Sequence, residues 1–142
     1  MKLLVAIDFS EITDKVLGQA KLLAKALSAE IWLLHVAEPE PDFVGYDADP
    51  LVMRDLAAET YKIWHRRVQE AAEALRAEGF SCTGLMIQGP AVDTILKEAE
   101  RLQADMIVLG SHGKGLLARL IVGSSCEGVL RGTSVPVLMV PA

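Results

Sequence analysis

The sequence has little that would suit it to a membrane, a polyanion or a metal. Its aliphatic runs, such as Leu3-Leu4-Val5-Ala6-Ile7, stop far short of the roughly 18 residues that cross a bilayer. Asp8 breaks the first of them, and the opening has no basic flank and no small-residue cleavage site, so it reads as a first strand and the expected location is the cytoplasm. Basic residues are the minority: 14 Lys plus Arg against 19 Asp plus Glu give a net charge of -5, the wrong sign for holding nucleic-acid phosphates or an anionic membrane. Aromatic residues make up only 5%, which argues against the base-stacking surfaces of RNA-binding modules. Cys82 and Cys126 form no CxxC pair, and the three scattered histidines complete no zinc spacing. Two reduced, buried thiols are expected, and the partners left are a small molecule or a protein.

What the sequence does have is 51% hydrophobic residues arranged in a regular alternation over 142 positions, the length of one ordinary domain, residues 1–142. Residues 2–8, 30–37, 81–87, 105–109 and 135–140 are short apolar runs, the pattern of strands buried on both faces. Between them lie helical periodicities. Ser10 stands where a cap would open the first, whose stripe is Ile12, Val16, Ala20, Leu23, Ala24 and Leu27; Asp49 and Pro50 open a long second one reaching about Glu78. Val92, Ile95, Leu96, Ala99 and Leu102 line a third, and residues 116–131 are mostly helical. Strand and helix alternating in this way require right-handed crossovers and a parallel sheet with helices on both faces, so the expectation is a five-stranded, doubly wound, Rossmann-like α/β domain. Residues 38–50, EPEPDFVGYDADP, lack periodicity and read as a solvated connection or a lid.

The fourth strand runs into Gly110-Ser111-His112-Gly113-Lys114-Gly115, and Gly123-Ser124-Ser125 follows eight residues on. Glycines admit close backbone approach and helix starts present free N–H groups, so the segment suits phosphate oxygens, or else it is a tight strand-to-helix turn. It is neither a Walker loop nor a dinucleotide fingerprint, since no glycine stands five residues before Gly113 and the first strand turns through Asp8-Phe9-Ser10-Glu11. No HExxH or GxSxG occurs.

The spacing Gly110-x2-Gly113-x9-Gly123-Ser124 resembles the G-2x-G-9x-G(S/T) pattern of the nucleotide-binding branch of the universal stress protein family. The resemblance extends along the chain, through VAIDFS at 5–10, LLHV at 33–36, QGP at 88–90, DMIVLGSHGKG at 105–115 and VPVLMV at 135–140. It implies the strand order 3-2-1-4-5, with a topological switch point between strands 1 and 4 where α/β sheets hold their ligands. It also implies that Ala6, Asp8 and Val36 surround adenine and ribose, and that Gly110, His112, Gly113, Gly123, Ser124 and Ser125 surround ribose and phosphates. Each residue has a plainer reading beside this one. Asp8 suits a helix cap, Val36 the core, His112 an exposed loop, and Ser124 and Ser125 are cap candidates. Phosphorylation of either serine is the lesser alternative. Lys114 and Arg119 bring positive charge to the loop; His35 and His65 have no evident partner, and Arg66 and Arg67 look like a wet helix face. Gly128 departs from the family pattern and should weaken the last helix by about 1 kcal/mol relative to alanine.

The reading implied is an ATP-binding regulatory module of the stress response, holding ATP or another adenine nucleotide with Mg or Mn carried by the phosphates. An unknown protein is regulated in turn, with no nucleic-acid or membrane partner. The alternatives are a slow ATPase or autophosphorylating enzyme, and a nucleotide-free interaction module. The resemblance also implies pairing through the last strand, so a homodimer through the run from Val135 to Val140 is expected, with Pro136 removing one donor from the shared edge.

Overall fold

Five stretches rich in Leu, Ile and Val lie side by side in the computed structural model, which describes residues 1–38, 50–111 and 124–142. They are β1 (Lys2–Ala6), β2 (Glu30–Ala37), β3 (Cys82–Gln88), β4 (Met106–Gly110) and β5 (Val137–Val140). All pair in parallel in the order β3-β2-β1-β4-β5, the expected doubly wound sheet. The helices are α1 (Thr13–Leu27), α2 (Pro50–Ala77), α3 (Ala91–Leu102) and α4 (Ser124–Gly132).

Side chains alternate across a strand, so β1 feeds two cores. Leu3, Val5 and Ile7 join Val16, Ala20 and Ala24 of α1 and Ala72 and Leu75 of α2 on one face. Leu4 joins Ile95, Ala99 and Leu102 of α3 and Cys126 and Val129 of α4 on the other. Every β1 residue from Leu3 to Val5 is fully buried, which is why the strand is apolar without alternation. α1 ends where Ser28 turns left-handed (φ 48°) and its N–H donates to Ala24 O, an αL termination; Leu27, assigned to the buried stripe from sequence, is exposed there.

The chain departs from the sequence reading at several ends. β1 stops at Ala6, two residues early, and β4 runs on to Gly110. Ser10 does not cap α1 through its hydroxyl: its Oγ is buried with no partner, while its carbonyl accepts the Thr13 N–H at 3.0 Å. β5 begins at Val137 because the Thr133 hydroxyl both accepts from Val135 N–H and donates to Val135 O, each at 3.0 Å, turning residues 133–135 in on themselves. The candidate lid and the helical segment before Ser124 lie, for residues 39–49 and 116–123, outside the described residues.

Gly128 is a packing device. A Cβ there would come within 2.7 Å of Val92 Cγ2 and 3.0 Å of Cγ1, so the missing side chain lets α4 close onto α3. Alanine would gain about 1 kcal/mol of helix propensity but would overpack the contact by about 1–3 kcal/mol. Gly128→Ala is therefore expected to lower stability by about 1 kcal/mol, and to raise it instead in a Val92→Ala background. Denaturant midpoints of the four proteins check the sign reversal.

Candidate functional site

The site begins with the early end of β1. Asp8 Oδ1 accepts the N–H of Ser10 at 3.0 Å, and between them Phe9 holds φ at 57°, a conformation that costs a bulky residue energy and recurs at functional sites. Together they swing the chain out of the sheet toward α1. The β1–β2 ladder closes with Ile7 N–H donating to Leu34 O at 2.9 Å. The next acceptor, Ile7 O, is taken by the ring of His35 at 3.0 Å; a carbonyl only accepts, so His35 Nδ1 carries the proton.

Both neighbours of β1 run past this point. β2 continues to Ala37, held by β3 through Ala37↔Gln88, and β4 continues past its last pairing with β1, Val5↔Val108, to Gly110, held by Val140. The result is a notch one strand wide at the carboxyl end of the sheet, with Asp8 at its floor. Leu34 turns its peptide toward β1 and Ile31 turns its own toward β3, accepted by Ser81 O. By the same alternation Val36 directs its N–H and C=O into the notch, beyond the end of β1.

Four of the residues nominated from sequence, Ala6, Asp8, Val36 and Gly110, thus meet around one feature. Ala6 and Val36 lie on the α3/α4 face. Gly110 has a structural reason to be glycine, because a Cβ would stand 3.1 Å from both Ile12 Cδ1 and Cγ2. Ser111 follows, buried, its N–H donating to Val140 O at 2.9 Å. Ser124 and the half-buried Ser125 open α4 on that same face. His112, Gly113 and Gly123, with Lys114 and Arg119, lie outside the described residues.

Sequence reasoning missed the back wall. His35, 4% exposed, packs with Phe9 (ring centroids 5.1 Å apart) and Trp64 (4.8 Å), while Phe9 stacks on Trp64 at 5.6 Å and 25°. Arg67 is no merely wet residue, since its guanidinium lies 4.3 Å over Phe9 and 4.9 Å over Trp64, a cation–π arrangement. The available signal was His35 itself, which falls in step with buried Ile31 and Leu33 and so had to find a partner. Beside the turn, Ser10 Oγ and Thr13 Oγ1 are buried without hydrogen-bond partners, unused polar capacity at the switch point.

A family model described as Universal stress protein family matches residues 1–141. The chain belongs to that family. Among its relatives, a universal stress protein of Thermus aquaticus is 33% identical over 144 residues, covering 97% of this chain and 96% of that one. The solved structure of MJ0577, a universal stress protein of Methanocaldococcus jannaschii, superposes with a TM-score of 0.84 at 28% identity, covering 99% of this chain and 95% of that one. A universal stress protein of Archaeoglobus fulgidus solved in complex with dAMP has the same fold at 21% identity and a TM-score of 0.64, covering 98% and 96%. Among the described residues of this universal stress protein no helix is long and apolar enough to cross a membrane.

Its two thiols are buried, as expected. Burial pushes Cys82 up to about 11 from an ordinary 9.0, with the Arg76 charge drawing it slightly back. Burial also raises Cys126, whose Sγ lies 3.1 Å from Met139 Sδ. Neither is a thiolate at neutral pH, so neither is a nucleophile. In the unfolded chain Cys82 ionises first; the stability it contributes is therefore complete below 9.0 and is lost as pH rises through about 11. The expected outcome is a smaller loss of unfolding free energy across that interval in Cys82→Ala than in wild type, read from denaturant titrations on either side of it.

Proposed function

We propose that this universal stress protein binds an adenine nucleotide, ATP foremost, in the notch beyond β1, and acts through that occupancy as a regulatory module upon a protein partner. The observation that carries the reading is the notch itself, which sets the free peptide edge of Val36 opposite Gly110, with Asp8 between them. Val36 N–H and C=O have the directionality to read the edge of a purine, and the second oxygen of Asp8 suits a ribose hydroxyl, as Oδ1 is engaged with Ser10. The orphaned hydroxyls of Ser10 and Thr13 fit a polar ligand at the turn better than an apolar one. Gly110 leads directly into the spaced glycines, and His112, Gly113, Gly123, Ser124 and Ser125 are assigned to ribose and phosphates; small residues and the helix start at Ser124 favour phosphate oxygens. The dAMP complex of the A. fulgidus relative supports an adenine ligand. Mg or Mn would be held by phosphate oxygens and water, neutralising charge as the nucleotide binds. Binding is favoured over turnover because the Asp8 carboxylate, engaged at Oδ1 by the Ser10 N–H, is placed to serve as a ligand contact through its second oxygen.

Mass spectrometry of ligand released by acid from freshly purified protein is expected to find an adenine nucleotide. Gly123→Val is expected to abolish ATP binding in calorimetry while the protein stays folded. Asp8→Ala should weaken adenosine and ATP alike, by about tenfold or more, the value of one charge-assisted hydrogen bond. Affinities equal to wild type in both variants would remove the notch as the site.

The same reading includes a homodimer through β5. In the β4–β5 ladder Pro136 O accepts from Ile107 N–H and Val140 O from Ser111 N–H, so residues 136, 138 and 140 face β4 while Val137 and Met139 turn their peptides outward. The donor that Pro136 lacks is therefore on the β4 side, not on the shared edge as expected from sequence, and the outer donors are intact. Light scattering is expected to give a dimer for wild type and a monomer for Leu138→Lys, with cooperative melting retained in both; a wild-type monomer rules the edge pairing out.

A further inference from the structure

The long second helix carries exposed apolar residues that are not part of the buried core among the described residues. α2 is seated on the sheet through Val68, Ala72 and Leu75, all buried. N-terminal to Trp64, every described side chain of α2 is exposed, so about 20 Å of helix, at about 1.5 Å per residue, carries no core. A solvated helix face is normally polar, yet Val52 is 52% exposed, Leu56 58% and Ile63 54%.

These exposed residues are in register. At about 100° per residue, Val52, Leu56 and Ile63 fall on one stripe, roughly opposite the stripe of Val68, Ala72 and Leu75. The spacing continues as Val52, Leu56, Glu59, Ile63 and Arg66, alternating steps of four and three, the seam of a helix pair. The charges on and beside this seam are ordered by sign: Asp55 and Glu59 come first, Lys62 and Arg66 second.

We propose that this face of α2 pairs with the same face of a second copy of the chain, antiparallel, about a two-fold axis near residues 59 and 60. That arrangement lays Leu56 of each copy beside Ile63 of the other. It also sets Asp55 and Glu59 of each within about a turn of Arg66 and Lys62 of the other, because antiparallel seams bring like flanks together in opposite directions. A parallel pair would set Asp55, Glu59, Lys62 and Arg66 each against its own copy, whereas the antiparallel pair does so only for Glu59, next to the axis. The charge order is thus better matched in the antiparallel orientation, which favours the chain itself as the occupant. The acidic members of the flank disfavour an anionic membrane as the occupant. Within one helix Lys62 already reaches Glu59 at 3.4 Å, both well exposed; such a pair is weak and exchanges readily for its counterpart across the axis. A contact of a few helical turns is small, so a weak association, micromolar or looser, is expected.

The pairing is separable from nucleotide binding and from the β5 edge. Sedimentation velocity on the full chain, in wild-type and Leu138→Lys backgrounds, is to be compared across the unmodified helix, Ile63→Glu, Glu59→Lys, and the exchange Glu59→Lys with Lys62→Glu. Ile63 and Glu59 are both exposed, so the fold should withstand all three. The expected result is a concentration-dependent doubling of mass with the unmodified helix in each background, lost in Ile63→Glu and Glu59→Lys and regained in the exchange. A mass indifferent to Ile63→Glu overturns the proposal, as does an exchange that fails to restore what Glu59→Lys removed. Flotation with phosphatidylglycerol vesicles that Ile63→Glu abolishes, without any change in mass, overturns it in favour of a membrane surface.

Discussion

The hydrogen bond from His35 to Ile7 O is the constraint from which the rest of the site follows. Parallel ladders propagate until something takes the next acceptor, and here a side chain takes it instead of the Val36 N–H. The sheet core has no reason to stop at that row, since β2 is supported from its other side by β3 and β4 by β5. Only the central strand ends. A central strand that stops before both neighbours makes a recess without any loop having to build it, and the peptide edge of β2 stays open because its natural partner is occupied. Burying a histidine is acceptable in these terms because its ring nitrogen meets a carbonyl and its faces meet other rings.

The same ring ties two remote parts of the molecule together. Phe9, next to Asp8, is held left-handed between the sheet and Trp64 of α2, and Arg67 closes over both aromatic faces. Anything that moves the Asp8–Ser10 turn must disturb this stack, and N-terminal to it the described side chains of α2 are exposed. The fold therefore has a physical route from the notch to the overhanging helix through four side chains. It is a contiguous packed path.

Much of this was legible in the sequence, for identifiable reasons. Strands buried on both faces are uniformly apolar, and helices between them keep a stripe, so the β-α alternation could be read directly; the strand order came with the family resemblance and its spaced glycines. The ends of elements were not legible, because they are decided by long-range competition. Ser10 and Asp8 are both good capping residues, and nothing local says that Asp8 will take the Ser10 N–H and leave the serine hydroxyl without a partner. The stop of β1 depends on a histidine 28 positions away. The wall of Phe9, His35, Trp64 and Arg67 draws on three separate elements, and no window of sequence contains them together. Gly128 misled in the opposite direction: helix propensity counts it as a weakness, but its meaning lies in Val92 on another helix.

The crowding at Gly110 has an evolutionary corollary. A Cβ at Gly110 would crowd the Ile12 side chain, so packing beside β4 favours the first glycine of the spaced motif, whatever occupies the notch. A lineage that gave up its ligand would be released from selection on the later glycines while Gly110 remained under it. Substitutions should then accumulate unevenly along the motif, and a surviving glycine at this one position would record how the helix packs, not what the protein binds.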